Sequence, residues 1–313
     1  YTGTSQELAH IVAALPESTF DKQTSHKTKK IILAHDPKAY IEKKKTNKRK
    51  VDIKELTKIV AKQYPEKKVS VSLLNNFFEC PWKWYFRNLL QLPQAQEESL
   101  DFGNAAHSVI DKILKMKKKP TEKDIATIAA GNKEVLAIVS KWVKNRLPEI
   151  KPEHESEKSV SIKDSRFPNL NIYGKIDLVE NLSKTDLRVT DFKTGSVKKE
   201  GDIEKRDDEG RMSTYLRQLA MYSYLLETST KSKVCESRLE FLEAKNEKPV
   251  RPGGGENFYD RVITKGEINL IMKDIADYDT LVKNGEWVNR PCNYNSYGKN
   301  TPCEYCKMAE IYK

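Results

Sequence analysis

Apolar positions along the chain follow two periods. The helical period is the commoner one. Leu73, Leu74, Phe77 and Phe78 recur at helical spacing behind Ser70 or Ser72, either of which can cap the helix. Cys80-Pro81 ends it, because proline cannot continue a helix. Trp82, Trp84, Tyr85, Phe86, Leu89 and Leu90 follow as an aromatic-rich amphipathic segment. His107, Ile110 and Leu114 share one stripe of a helix that begins near Gly103-Asn104. Thr121–Leu147 predicts two helices broken near Gly131-Asn132. Tyr215, Leu219, Tyr222 and Leu226 line a helix that Ser213 caps and that runs to Glu227. Thr264 and Glu267 have capping-box spacing and open a helix to about Asn284. Gln6–Leu15 and Asp52–Tyr64 also have helical spacing.

The second period is that of strands. Lys158–Ile162, Asn171–Glu180, Leu187–Thr194, Val234–Glu243 and Asn257–Ile263 read as strands. The second and third flank the polar turn Asn181–Asp186 and predict a hairpin. Strands interleaved with helices predict an α/β fold. The polar stretch Ser196–Glu209 is expected to be mobile, and Gly253–Gly255 reads as a turn. The basic run Lys43–Lys50 can touch phosphates or serve as a solvated linker, and residues 1–68 read as a linker or lead-in.

Composition narrows the class. The chain has 313 residues, 38% hydrophobic and 32% charged, which is globular with a heavily charged surface. No apolar run reaches the ~18 residues of a membrane span. A net charge of +11 suits either a polyanion partner or a solvated basic face. Five cysteines, an odd number without a secretory segment, point to a reducing compartment, the cytoplasm. The start at Tyr1 is expected of a piece of a longer chain.

Candidate chemistry concentrates in the hairpin. Asp191 and Lys193 stand two apart and share a strand face, and pairing brings Asp177 to the same end. Two carboxylates and an ammonium there can bind a divalent cation and orient a water. Gln218 and Tyr222 are helical neighbours able to hydrogen-bond. Alone, His107 reads as a core histidine or a metal ligand. The aromatics from Trp82 to Phe86 can pack a core or stack on bases. Cys292 and the pair Cys303-Glu-Tyr-Cys306 lie in a tail poor in apolar residues, with Cys80 available as a fourth thiolate. Cys235 reads as a small buried hydrophobe. No GxxxxGK[ST] loop is present.

Asp177, thirteen residues, then Asp191-Phe192-Lys193 resembles the motif of PD-(D/E)XK nucleases. Gly174-Lys175-Ile176 before it and Thr194-Gly195 after it resemble the RecB/AddB-like branch. So do Gly103-Asn104-Ala105-Ala106-His107 and Gln218-Leu219-Ala220-Met221-Tyr222, in the same order. The resemblance runs from about Ser70 to Lys313, and a nuclease domain over 69–313 is expected. It implies a restriction-endonuclease-like mixed central sheet flanked by helices, with a cysteine-clamped rim joining the N- and C-terminal segments, 73–92 and 287–313. It implies that Asp177, Asp191 and His107, with the Phe192 carbonyl, hold Mg²⁺ or Mn²⁺. Lys193 would orient or activate the water, and Gln218 and Tyr222 would contact DNA or support Lys193. It further implies a four-iron–four-sulfur cluster on Cys80, Cys292, Cys303 and Cys306, a structural zinc being the alternative. The tail departs from the family pattern: Tyr312 stands where a last cysteine is usual, and the third cysteine is upstream at Cys292. The expected function is metal-dependent DNA hydrolysis in repair or recombination, beside a helicase motor of UvrD/Rep type. The alternative is a catalytically residual DNA-binding module or a zinc-stapled interaction module.

Overall fold

The computed structural model describes residues 52–93, 98–116, 118–242, 257–294 and 303–312. The expected helix Gln6–Leu15, the basic run Lys43–Lys50 and the turn Gly253–Gly255 lie outside them. Asp52–Glu310 form one compact unit.

A mixed sheet organises that unit. Its strands are β1 (Lys68–Val69), β2 (His154–Ile162), β3 (Asn171–Asn181), β4 (Asp186–Lys193), β5 (Lys233–Phe241) and β6 (Phe258–Arg261). β2 lies antiparallel along one edge of β3. The opposite edge is shared: β1 runs parallel to its first residues and β4 antiparallel to its last. β5 then joins β4 in parallel, and β6 closes the far edge antiparallel to β5. The order β1-β3-β4-β5-β6, with β2 beside β3, is the expected mixed central sheet.

Helices cover both faces. On one lie α4 (Glu98–Leu114), α5 (Glu122–Ile128) and α6 (Lys133–Asn145), counted after the three helices introduced below. Their stripes bury Ile110, Ile113, Ile125, Val135, Val139 and Trp142 with Leu178 and Phe192 of the sheet. Asn132 caps α6 by accepting from the Val135 N–H, which explains the break before it. On the other face lies α8 (Thr214–Ser229), capped by Ser213 and buried along most of its length. Gly174 permits its close approach: a Cβ there would meet Leu225 Cδ1 at 2.5 Å. Between β4 and α8 the stretch expected to be mobile contains α7 (Glu200–Glu204), whose Ile203 is buried against Leu219, Leu239 and Tyr259. One apolar residue is enough to seat that polar segment, and the sequence pattern underweighted it.

The remaining helices wrap the sheet's end. α1 (Ile53–Gln63) is capped by Asp52 and buries Leu56 and Val60. Residues 52–68, expected as lead-in, therefore pack into the compact unit. Tyr64 donates to Asp279 (2.8 Å) on α9 (Lys265–Lys283), which opens with the expected Thr264/Glu267 capping box. α2 (Val71–Glu79) ends at Cys80, and α3 (Pro81–Trp84) continues into a wide turn over Tyr85–Leu89. Here the aromatic run becomes core: Trp82, Trp84, Tyr85 and Phe86 are all buried. Trp82 and Trp84 meet Trp287 edge-on with ring centroids 5.1 and 5.4 Å apart, and Tyr85 stacks on it at 5.5 Å. The short α10 (Glu304–Met308) carries Cys306 and has Cys303 at its cap position.

Candidate active site and cysteine cluster

The hairpin forks where its carboxylates lie. β3 and β4 pair from Asn181↔Leu187 to Leu178↔Thr190, and the ladder stops there. Asp177 and Asp191 are the next residues on each strand. The Phe192 N–H, which a continuing ladder would have used, donates instead to Asp177 Oδ2 at 2.8 Å. Asp191 and Lys193 share a face as expected, with Lys193 Nζ 2.7 Å from Asp191 Oδ2. Burial, reinforced by the nearby Asp177 charge, raises the Asp191 carboxyl above its ordinary range despite Lys193. Burial would lower the Lys193 ammonium, but the Asp191 and Asp177 charges outweigh it and the pKa rises.

His107 comes from α4. Gly103, one turn earlier, lets that helix close on the end of β4, where an added Cβ would sit 3.1 Å from Thr194 Oγ1. His107 Nδ1 lies 3.3 Å from Asp177 Oδ1, and its ring meets the Phe192 ring edge-on at 6.0 Å. Burial disfavours the charged imidazole, yet the hydrogen bond and charge of Asp177 prevail and raise its pKa. Phe192 itself is buried against Trp142 on the far side (5.8 Å), which anchors β4 between its two charged neighbours.

A further carboxylate joins them. Ser156↔Leu178 and Lys158↔Ile176 pair across β2 and β3, but Glu157 and Asp177 between them do not. Glu157 has φ +52°, a left-handed conformation that costs a non-glycine residue about 1–3 kcal/mol. The twist places its carboxylate with His107 and Asp177: one ligand atom from each lies within 4.8 Å of the others. Lys175 is ion-paired to Glu157. Ser156, beside Glu157, donates to Asp111 of α4 at 2.6 Å and ties the strand to the histidine-bearing helix. The cleft in front, about 410 Å³, is lined by Asn104, His107, Ser108, Asp111, Glu157, Lys175 and Asp177. The strand expected from Lys158 began one residue too late to include Glu157. A longer β2 in the same register would have set Glu157 opposite Asp177.

Gln218 and Tyr222 reach the same charges from α8. Gln218 Oε1 accepts from Lys193 Nζ (2.8 Å), while its Nε2 donates to Asp191 Oδ1 (2.5 Å) and to the Tyr222 hydroxyl (2.8 Å). Tyr222 is buried, and its hydroxyl lies 3.5 Å from Asp191 Oδ1. Gln218 thus touches Lys193 directly, and Tyr222 touches Gln218 and Asp191. Hard oxygen ligands from Asp177 and Glu157 with the His107 imidazole suit a divalent cation such as Mg²⁺ or Mn²⁺; Asp191, whose oxygens meet Lys193 and Gln218, is not in that group.

The cysteines gather elsewhere. Cys80 sits between α2 and α3, where its sulfur accepts from the Lys83 N–H. Cys303 precedes α10 and Cys306 lies on it. Cys292 is brought in by its neighbour, since the Asn293 N–H donates to the Glu79 carbonyl at 2.7 Å. The Cys80 sulfur is 3.7 Å from that of Cys306 and 3.8 Å from that of Cys303. All four sulfurs lie within 4.8 Å of one another. Burial pushes the Cys306 thiol up to about 12, with Cys292 adding to it. Cys235 stands apart, donating to the Leu187 carbonyl at 3.4 Å.

A family model described as the PD-(D/E)XK nuclease superfamily matches residues 68–311. Among solved structures, an exonuclease-designated protein from Eubacterium rectale is 12% identical, with 78% of this chain and 94% of that one covered at a TM-score of 0.46. SSO0001 is 13% identical, with 72% and 86% covered at a TM-score of 0.31. No curated protein matches.

Proposed function

The chain belongs to the PD-(D/E)XK nuclease superfamily, and from that premise we propose that it is a divalent-metal-dependent deoxyribonuclease. The observation that carries this reading is the fork of β3 and β4, where Asp177 and His107 line the cleft and the Asp191–Lys193 pair lies beside them on β4. Asp177, Asp191, His107 and the Phe192 carbonyl hold Mg²⁺ or Mn²⁺, and Glu157 adds a further carboxylate. A bound divalent ion supplies Lewis-acid polarisation of the phosphodiester and a more acidic water. Lys193, held by Asp191 and Gln218, orients or activates the attacking water and neutralises charge on a phosphate oxygen. Gln218 and Tyr222 keep the Asp191–Lys193 pair in place. The basic net charge of +11 favours a polyanionic substrate.

The order of motifs supports a RecB/AddB-like assignment, with a place beside a helicase motor in DNA repair or recombination in the cytoplasm. Among the described residues no helix is long and apolar enough to cross a membrane. The four cysteines hold a metal centre that joins the segment around Cys80 to the tail.

The test is digestion of end-labelled linear and circular DNA, single-stranded and duplex, with Mg²⁺ or with chelator. Asp191→Ala and Lys193→Ala should each lower cleavage by about 10²–10⁴-fold with the fold intact. Undiminished cleavage by both variants would sink the assignment. A wild-type protein that binds DNA without cutting it would favour the residual-module reading.

A further inference from the structure

We propose that Cys80, Cys292, Cys303 and Cys306 form a site for a single tetrahedral ion, Zn²⁺, and not the seat of the four-iron–four-sulfur cluster that the family resemblance implies. A zinc–thiolate bond is ~2.3 Å, so the sulfurs of a tetrahedral Cys₄ site stand ~3.8 Å apart along each edge. The two shortest separations known here are 3.7 Å and 3.8 Å, and no pair exceeds 4.8 Å. In a four-iron cluster each thiolate binds a different iron, so the sulfurs must stand apart by more than the width of the cluster itself. These four are too close for that.

The sequence departs from the cluster pattern in the same direction. The expected last cysteine is Tyr312, and its substitute, Cys292, precedes the Cys303–Cys306 pair. That pair spans the first turn of α10, with Cys303 at its cap position. A C-x-x-C pair serves structural zinc and iron–sulfur centres alike, so the sulfur spacing distinguishes them. The other two ligands come from two separate backbone anchors. Cys80 is fixed at the α2–α3 junction, and Cys292 is fixed beside it by the bond from Asn293 to Glu79. Spreading the sulfurs to admit a cluster would pull on both anchors and on the buried Trp82 and Trp84 that follow Cys80. Four protein ligands leave no open position, so the centre is structural: it ties the tail to the α2–α3 junction and takes no part in the hydrolysis.

The experiment is metal analysis of the whole chain purified without oxygen, then incubated anaerobically with iron and sulfide. The expected result is a colourless protein with one zinc per chain that takes up no stoichiometric iron. Exchange with Co²⁺ should give the strong visible bands of a tetrahedral cobalt–thiolate centre, one cobalt per chain. Cys292→Ser should weaken those bands and speed metal loss to a chelator while circular dichroism stays unchanged. Iron in the centre, with or without sulfide, would overturn the zinc assignment. An unaltered cobalt spectrum in Cys292→Ser would overturn the ligand set. Both readouts are independent of DNA cleavage, so their failure leaves the nuclease reading standing.

Discussion

The cleft and the cysteine cluster solve opposite problems with the same means, convergence of ionisable side chains. In the cleft the partners are close in sequence: Asp177, Asp191 and Lys193 lie on two strands of one hairpin. Asp177, Lys193 and His107 are partly exposed while Asp191 is buried, and a space of about 410 Å³ lies in front of His107 and Asp177. In the cluster Cys80 stands more than 200 residues before the other three, and Cys80 and Cys303 are buried, Cys306 half-buried and Cys292 exposed. A cleft that holds a hard ion through carboxylates must admit water and substrate. A closed thiolate site must exclude them. The difference teaches that damage to the first should cost activity and damage to the second should cost the fold.

The largest expected effect tests the second half of that statement. Cys80→Ser removes a ligand from the cluster, and metal binding energy there is folding energy. It should lower unfolding free energy by several kcal/mol, or about 10 °C or more in thermal midpoint. An unchanged midpoint would break the comparison, because the clamp would then carry no stability.

Next comes a change confined to the cleft. Glu157→Gln keeps the size of the side chain and removes its charge. By the usual cost of a weakened metal environment it should raise the Mg²⁺ concentration for half-maximal cleavage by about 10–100-fold. Its thermal midpoint without metal should hold. If the Mg²⁺ titration does not move, Glu157 is only a partner for Lys175, and its left-handed backbone needs another explanation.

The smallest effect concerns the wall behind the cleft. Trp142, which packs on Phe192, also donates to Glu240 at 2.8 Å, and Arg146 lies 3.3 Å from the same carboxylate. Burial nonetheless raises the Glu240 carboxyl from 4.5 to about 7, outweighing Arg146, Arg238 and Trp142. The folded state therefore holds this proton more tightly than the unfolded chain. Its contribution is complete below pH 4.5 and is lost as pH rises through 7. Relative to Glu240→Gln, the wild type should lose about 1–3 kcal/mol across that window. A pH-independent difference in midpoint between the two proteins would show that Glu240 stays charged and paired throughout.

Much of the fold could be read locally. Ser70, Ser213 and Thr264 each cap the helix expected of them, because a cap is set by residues three apart. The face shared by Asp191 and Lys193 follows from strand geometry alone. Packing over long sequence distances settled the rest. The spacing of the aromatic run from Trp82 to Phe86 favours a core over a stacking surface, but its partners, Trp287 and Tyr278, come from far along the chain. The helix Ile53–Gln63 looks like a lead-in until Tyr64 meets Asp279.

By itself the sequence determined which residue types could do the chemistry and the order in which they come. It did so because alternation, capping and the spacing of Asp177, Asp191 and Lys193 act over a few residues. Only the tertiary structure decided that the ladder stops at Thr190 and leaves the two carboxylates at an open fork. The same holds for the left-handed twist that turns Glu157 toward His107 and Asp177, and for the four sulfurs that meet within 4.8 Å of one another. Each of those depends on where separate elements end and how closely they approach, and no local pattern encodes a distance between them.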